Sequence, residues 1–265
     1  MAAIMQQVAQ TSHLDPKGQQ SQDVTFFDDF LSYTDGGLFT VADSGSAGSS
    51  AWDGTALGAN GRGHNLLLTT KTTTQWDYYS LATTNALFLP VATGAAMGCE
   101  TTIKFTSQAA NNAMVYFGFM STVAIPAGSN VDPTASYSGA IIYRLSGDTQ
   151  WRIQVSNATT KTTQTTVGSD FICADGQYCL RVDFMPFTGS SVAATNGVSC
   201  FASFSINGVQ VKDKNNFLVQ LPVLYASLAA MKVGVIAQAA TANAQTLLVD
   251  YIQANVSRGL TIPNG

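Results

Sequence analysis

Asp28 and Asp29 stand side by side in TFFDDFL, between Phe26, Phe27, Phe30 and Leu31. Two carboxylates among aromatics invite three chemistries: a proton-sharing dyad, a metal site, or none at all. Adjacent residues of a strand point to opposite faces, so the two cannot easily share a proton or grip one ion. A working pair needs i, i+2 spacing or contributions from separate strands, and TFFDDFL therefore reads as an opening strand. Glycosidase chemistry asks for two carboxylates about 5–9 Å apart across a cleft. The strand-borne acids Glu100, Asp183 and Asp250 each sit alone, in different strands. Asn130 and Asp132 in SNVDP offer oxygens to calcium. A turn uses Asn, Asp and Pro equally well.

Histidine is scarce: His13 and His64 are the two in the chain. A Ser-His-Asp triad has only His64 to draw on, and no G-x-S-x-G elbow is present. GANGRGHN (Gly58 to Asn65) lacks the strand-to-helix setting of a phosphate cradle. The four cysteines, Cys99, Cys173, Cys179 and Cys200, show no C-x-x-C spacing of the kind zinc sites use. Cys173 and Cys179 flank the turn signal ADGQ and could face each other across a hairpin; burial as free thiols is the simpler expectation. No catalytic residue, metal or cofactor is expected. Among the tryptophans, Trp151 fits a core stripe. Trp52 lies in the Gly/Ser stretch GSSAWDGT and is the candidate contact for a glycan or a partner protein, unless it folds back onto its own domain.

The elements that must position these residues follow from composition and pattern. The 265 residues are 46% hydrophobic but only 11% charged, against about 25% charged in an average domain. Thr, Ser, Asn, Gln and Gly take over the polar surface. No apolar run approaches the ~20 residues of a membrane helix. The net charge is −4 and the cations are scattered singly apart from Lys212 and Lys214, so nucleic acid and anionic membranes are not expected partners. The opening residues have neither a charged n-region nor an apolar h-region, and synthesis in a cytoplasm without export is expected.

Composition changes near Asp23. Residues 1–22 form a Gln-rich arm with scattered apolar residues Ile4, Met5, Val8 and Leu14 and no helical periodicity. Fully extended, such an arm reaches ~70–80 Å. From 23 to 265 we expect a single domain of short strands between turns. Trp151, Ile153 and Val155 alternate with Gln150, Arg152 and Gln154. Tyr178, Leu180, Val182 and Phe184 alternate with Cys179, Arg181 and Asp183. Cys200, Ala202, Phe204 and Ile206 alternate with Ser199, Ser203 and Ser205, with Phe201 the exception. Asn207-Gly208 then signals a type I′ hairpin. MVYFGF (Met114 to Phe119) is apolar on both faces and should be a central, doubly covered strand. KTTQTT (Lys161 to Thr166) is polar on both and should be an exposed or edge strand. LYASLAAM (Leu224 to Met231) is the best candidate for a short helix. Asp43–Gly63 and Ser121–Gly139 read as long loops, which serve as functional contacts or are disordered. The sum is an all-β, antiparallel two-sheet β-sandwich of jelly-roll type with an extended N-terminal arm.

FFDDFLSYTDGGLFTVADSG at the start and TLLVDYIQANV at the end resemble the terminal strands of a concanavalin A-like, laminin-G-type sandwich. Between them GCETTIKFTS, VYFGFMS, GAIIYRLSGDTQWRIQVSN, YCLRVDFMP and FSINGVQV fall in the order such domains use. The resemblance covers about Asp23 to Arg258 and implies that both chain ends share one sheet. The acid-rich E-x-D-x-E strand of laminarinase-type hydrolases is missing, and so is the Gln-x-His of alginate lyases. The D-D-F-L opening, the polar arm and the Thr/Ala/Gly-rich strands resemble bacteriophage head decoration, or cement, proteins. That resemblance implies a non-enzymatic virion protein on the capsid surface, partnered by the major capsid protein and by itself as an oligomer, often a trimer. Ile4, Met5, Val8, Leu14 and Trp52 would supply the contacts, and weak contacts repeated around the shell would reinforce one another. A glycan-binding module of a phage tail or host-recognition protein is the alternative. On the decoration reading, capsids should carry the full chain down in cosedimentation and leave a chain lacking residues 1–22 in solution; undiminished binding would remove that role from the arm.

Overall fold

The computed structural model describes residues 12–14, 20–28, 30, 37–44, 48–53, 65–70, 75–86, 96–105, 113–126, 128–133, 137–158, 161–164, 167–186, 198–224 and 230–257. These residues form two antiparallel sheets and, among them, no helix. The first sheet has ten strands: β1 (Ser12–Leu14), β2 (Gln20–Asp28), β4 (Ser49–Asp53), β5 (Asn65–Thr69), β7 (Met97–Phe105), β12 (Gln177–Pro186), β13 (Val198–Ile206), β14 (Val209–Gln210), β15 (Gln220–Leu224) and β17 (Thr246–Ser257). The second has seven, in the order β11 (Lys161–Gln164), β10 (Arg152–Asn157), β9 (Ser138–Arg144), β8 (Ala113–Met120), β16 (Lys232–Ala239), β6 (Tyr78–Thr83) and β3 (Phe39–Asp43).

β2 and β17 are neighbours, with Thr25 opposite Asn255 and Phe27 opposite Gln253. The two ends of the domain thus meet in one sheet, as the terminal strands imply. Asp23 lies within β2, and Ser12–Leu14 pairs antiparallel with Gln20–Gln22. β2 stops at Asp28. Phe30 takes a positive φ of 53° and packs its buried ring on Phe39 at 5.5 Å. The strand therefore does not run through the whole of TFFDDFL; Asp29 lies outside the described residues. The Asn207-Gly208 hairpin forms as expected, with φ of 52° and 76°.

The main core fills the space between the sheets. β8 contributes Val115, Phe117 and Phe119 to it, and β12 contributes Leu180, Val182 and Phe184. Phe119 and Phe184 meet across the gap at 5.4 Å. Trp151 is buried there with its ring edge-on to Tyr178 at 5.1 Å. The outer face of the seven-stranded sheet carries a second cluster: Met114, Tyr116, Met120, Ile141, Tyr143 and Ile236 beneath Ile125 and Tyr137 of the segment 121–137. β8 is therefore buried on both faces, as its sequence predicts. β8 and β9 approach so closely that a Cβ on Gly118 would collide with the carbonyl of Ala140, and one on Gly139 with the carbonyl of Phe119. Lys161–Gln164 lies at the sheet's edge, again as expected.

One strand runs against expectation, and another arises where no element is expected from the sequence. Ser49–Asp53 is β4, paired with β5, inside the stretch that reads as a loop. Gln220–Leu224 is β15, paired with β13 despite Pro222. Most of the LYASLAAM helix candidate lies outside the described residues, although Leu224 belongs to β15.

All four cysteines are free thiols. Burial pushes Cys173 up to about 11 and Cys200 up to about 12, from an ordinary value of 9.0. Burial raises Cys99 as well, followed by the field of Asp183. A proton held more tightly in the folded chain stabilises the fold fully below the unfolded value, and that contribution is lost as pH rises through the folded one. Urea unfolding should give constant thiol-linked stability up to about pH 9 and a decline between there and about pH 12; a midpoint that rises across that interval would contradict the buried-thiol arrangement.

Candidate functional site

Among the described residues, a dense polar constellation lies on the outer face of the seven-stranded sheet. Register sets it up. Ile236, Tyr116, Tyr143 and Arg152 stand in one row across β16, β8, β9 and β10. Directly opposed residues share a face, so these four side chains are neighbours. The rings of Tyr116 and Tyr143 stack at 5.9 Å with 6° between their planes.

Described residues of the β8–β9 connection, Ile125, Asn130, Asp132 and Tyr137 among them, roof this row, and hydrogen bonds close it. Tyr143 donates its hydroxyl to Asp132 Oδ1 at 2.6 Å. Arg152 donates through Nη1 to the same oxygen at 2.9 Å. On its other side Arg152 forms a two-pronged contact with Asp148, through Nε and Nη2 at 2.7 Å each. Asp148 also accepts from the Leu145 amide at 2.9 Å, which holds the β9–β10 turn. Asn130 exchanges two 3.0 Å bonds with the backbone of Ser146, tying the roof to that turn. Deeper in, Tyr137 donates to Gln154 at 2.7 Å and Tyr116 donates to Gln238 at 2.9 Å. Each tyrosine hydroxyl thus has an acceptor, as buried polar groups require.

Electrostatics follow the geometry. Burial raises Tyr143, and its bond to Asp132 raises it further. Burial also raises Tyr116, with the fields of Asp132 and Asp148 adding to it. Partial burial pulls the Arg152 guanidinium down, but its bonds to Asp148 and Asp132 more than offset this and hold it above its ordinary value. At the rim the side chains of Arg152 and Asp132 are 26% and 28% exposed, and Val131 beside them is 49% exposed. The rim offers water a planar donor between two carboxylates, next to an apolar surface.

Asn130 and Asp132, which read as possible calcium ligands, meet here in another role. Asp132 faces a guanidinium, and the Asn130 amide is spent on Ser146. Among the described residues no group of three or more His, Cys, Asp or Glu side chains is placed to hold a metal ion. Of the expected contact residues, Ile4, Met5 and Val8 lie outside the described residues. Leu14 ends β1. Trp52 belongs to β4, in register with Leu66, and not to a loop. β1 and β4 belong to the ten-stranded sheet, whereas Arg152 stands in the seven-stranded one. Arg152, Tyr116 and Tyr143 carried no sequence signal as site residues beyond their place in alternating strands.

The acids Glu100 and Asp183, which look solitary in sequence, are not. Both lie on the outer face of the ten-stranded sheet, joined by Arg181: 2.8 Å to each oxygen of Asp183 and 3.5 Å to Glu100. Their common cation makes this an ion-paired cluster, with Arg181 44% exposed.

No family model matches the chain, and no curated protein matches it by sequence. Solved structures match it by fold. The carbohydrate recognition domain of Emp47p superposes with a TM-score of 0.51 and 11% identity, over 89% of this chain and 95% of that one. A protein of unknown function from Shewanella oneidensis MR-1 gives 0.52 and 13%, over 91% and 90%. The likeness is one of fold: a lectin-like β-sandwich.

The clamp makes a stability prediction. Arg152→Met removes the shared cation and leaves two partly buried carboxylates face to face, costing about 1–3 kcal/mol after allowing for solvent at the rim. Tyr143→Phe removes one hydrogen bond and should cost about 1 kcal/mol. Denaturation midpoints that place the tyrosine variant below the arginine variant would contradict the clamp.

Proposed function

We propose that this protein is a non-catalytic, lectin-like glycan-binding module and that the rim around Arg152 touches the sugar. One observation carries the reading. On a lectin-type sandwich, a guanidinium is held rigid between Asp132 and Asp148, partly open to water beside exposed Val131. A sugar presents hydroxyls that both donate and accept. Carboxylate oxygens take the donated protons, and a planar guanidinium offers parallel N–H groups to adjacent oxygens. The C–H face of the ring would cover Val131. Because Asp148, Asp132 and Asn130 already hold the rim in place, little conformational freedom remains to be lost on binding. The Emp47p domain that shares the fold is a carbohydrate recognition domain, which supports the same reading.

The clamp also argues against catalysis at this point. Both carboxylates are bonded to one arginine, and acid–base chemistry needs groups free to exchange a proton with substrate. For the capsid-decoration reading, three of the four arm residues lie outside the described ones. Cosedimentation remains its measurement.

A glycan array followed by calorimetry tests the proposal. Wild-type protein should bind at least one glycan. Val131→Asp should weaken it about tenfold, equivalent to ~1.4 kcal/mol, with no change in thermal midpoint. Arg152→Lys keeps the charge but loses the fork and should weaken it at least as much. Turnover of any polysaccharide would overturn the non-catalytic reading, and binding untouched by both variants would move the site elsewhere.

A further inference from the structure

The rim around Arg152 does not end at Asp148; a short ribbon extends it. Trp151 donates its amide to the carbonyl of Phe171, and Cys173 donates its amide to the carbonyl of Thr149, both at 3.1 Å. Gln150 and Ile172 therefore stand directly opposite one another. Those bonds flank the pair and do not join it, and in such a pair the side chains come closest. The neighbours settle which way the side chains point. Trp151 and Ile153 lie in the main core, and so do Phe171 and Cys173. Alternation turns Gln150, Arg152 and Ile172 the other way, onto one face. Ile172 is 57% exposed and Val131 49%. Two branched aliphatic side chains thus flank the guanidinium, Val131 next to Asp132 and Ile172 next to Gln150.

The polar groups between them are only partly spent. Arg152 uses Nε and Nη2 on Asp148 and Nη1 on Asp132. Of the five N–H groups a guanidinium carries, one remains on each terminal nitrogen. Gln150 donates Nε2 to the carbonyl of Gly168 at 3.3 Å, and among the described residues its Oε1 makes no bond. Asp132 accepts both of its bonds on Oδ1, which leaves Oδ2. The chain thus presents a donor at 152 and an acceptor at 150, one strand repeat of about 6.5–7 Å apart.

We propose that the rim selects an N-acetylated amino sugar. The inference rests on the glycan-binding reading above and names the ligand class for the same site. An acetamido group is flat, with its C=O on one edge and its N–H on the other. In the trans form the methyl group lies on the N–H edge and the sugar ring on the C=O edge. Set between Arg152 and Gln150, its carbonyl accepts from the guanidinium and its N–H donates to Gln150 Oε1. The methyl group then falls on Ile172, the partner of Gln150. The ring falls toward Val131, where Asp132 Oδ2 can accept from a ring hydroxyl. A plain hydroxyl in place of the acetamido group cannot bridge positions 152 and 150, and it leaves Ile172 uncovered. The rim should therefore prefer the acetylated sugar to its parent hexose.

Calorimetry on the full chain tests this with matched pairs: triacetylchitotriose against cellotriose, N-acetylmannosamine against mannose, and methyl α-N-acetylgalactosaminide against methyl α-galactoside. At least one acetylated sugar should bind wild type about tenfold more tightly than its parent, or better. Ile172→Thr keeps a β-branched side chain opposite Gln150, and its thermal midpoint reports its folding. It should cut that preference several-fold and leave the affinity for the parent sugar unchanged. Equal affinity for both members of every pair, lost with Val131→Asp or Arg152→Lys, would overturn the acetamido inference and leave the rim reading standing. A preference that survives Ile172→Thr would also overturn the inference. Binding untouched by Arg152→Lys and Val131→Asp, or no sugar bound at all, would overturn both.

Discussion

The middle of the seven-stranded sheet is buried on both sides, and the rest of the molecule is arranged around that fact. β8 turns Val115, Phe117 and Phe119 toward the ten-stranded sheet and Met114, Tyr116 and Met120 the other way. The second set needs a cover of its own. The chain supplies it from the connection after β8, whose Ile125 and Tyr137 close over the outer face. A covering loop brings its own backbone and polar side chains with it, and these must be paired once water is removed. Tyrosine hydroxyls, Gln154, Gln238 and the Asp132–Arg152–Asp148 clamp do that pairing. The polar rim is therefore a consequence of two-sided burial, and the same pairing holds it rigid.

The opposite sheet obeys the other rule. Its inner face packs on the core, and on its outer face polar residues such as Arg181, Asp183 and Glu100 alternate with the core positions of β7 and β12. Where the outer residues of four or five strands fall into rows, small groups of chemistry assemble without any loop. Arg181 between Glu100 and Asp183 is one such group, and Gly98 leaves room for Asp183 and Asn255 to lean over it. One sandwich thus offers two kinds of surface: a loop-built rim and a register-built face.

Much of the strand architecture was legible in the residue pattern. Alternation located β10, β12 and β13, the apolar run located β8, and Asn207-Gly208 located the following turn. β15 was not legible because Pro222 cannot donate to a ladder and speaks against a strand; it is tolerated because β15 pairs with β13 alone among the described strands. β4 was hidden by its serines and alanine, residues with little strand preference, and forms because β5 offers it a ladder. At Phe30 local aromatic character pointed to a continuing strand, and packing on Phe39 with a positive φ ended it instead.

The sites divide along the same line. Which residues face in and which face out is a local property, since it follows from a two-residue period and a few turn signals. The sequence alone therefore determined the fold class, the doubly buried strand and the polar edge. Which polar residues meet is a property of register between strands far apart in the chain. Glu100 and Arg181 are opposite one another only because β7 pairs with β12, and Asp132 reaches Arg152 only because a loop folds back over β9 and β10. No period within a single strand encodes those distances. The tertiary structure decided them, by setting each strand against its neighbour so that one face stayed dry.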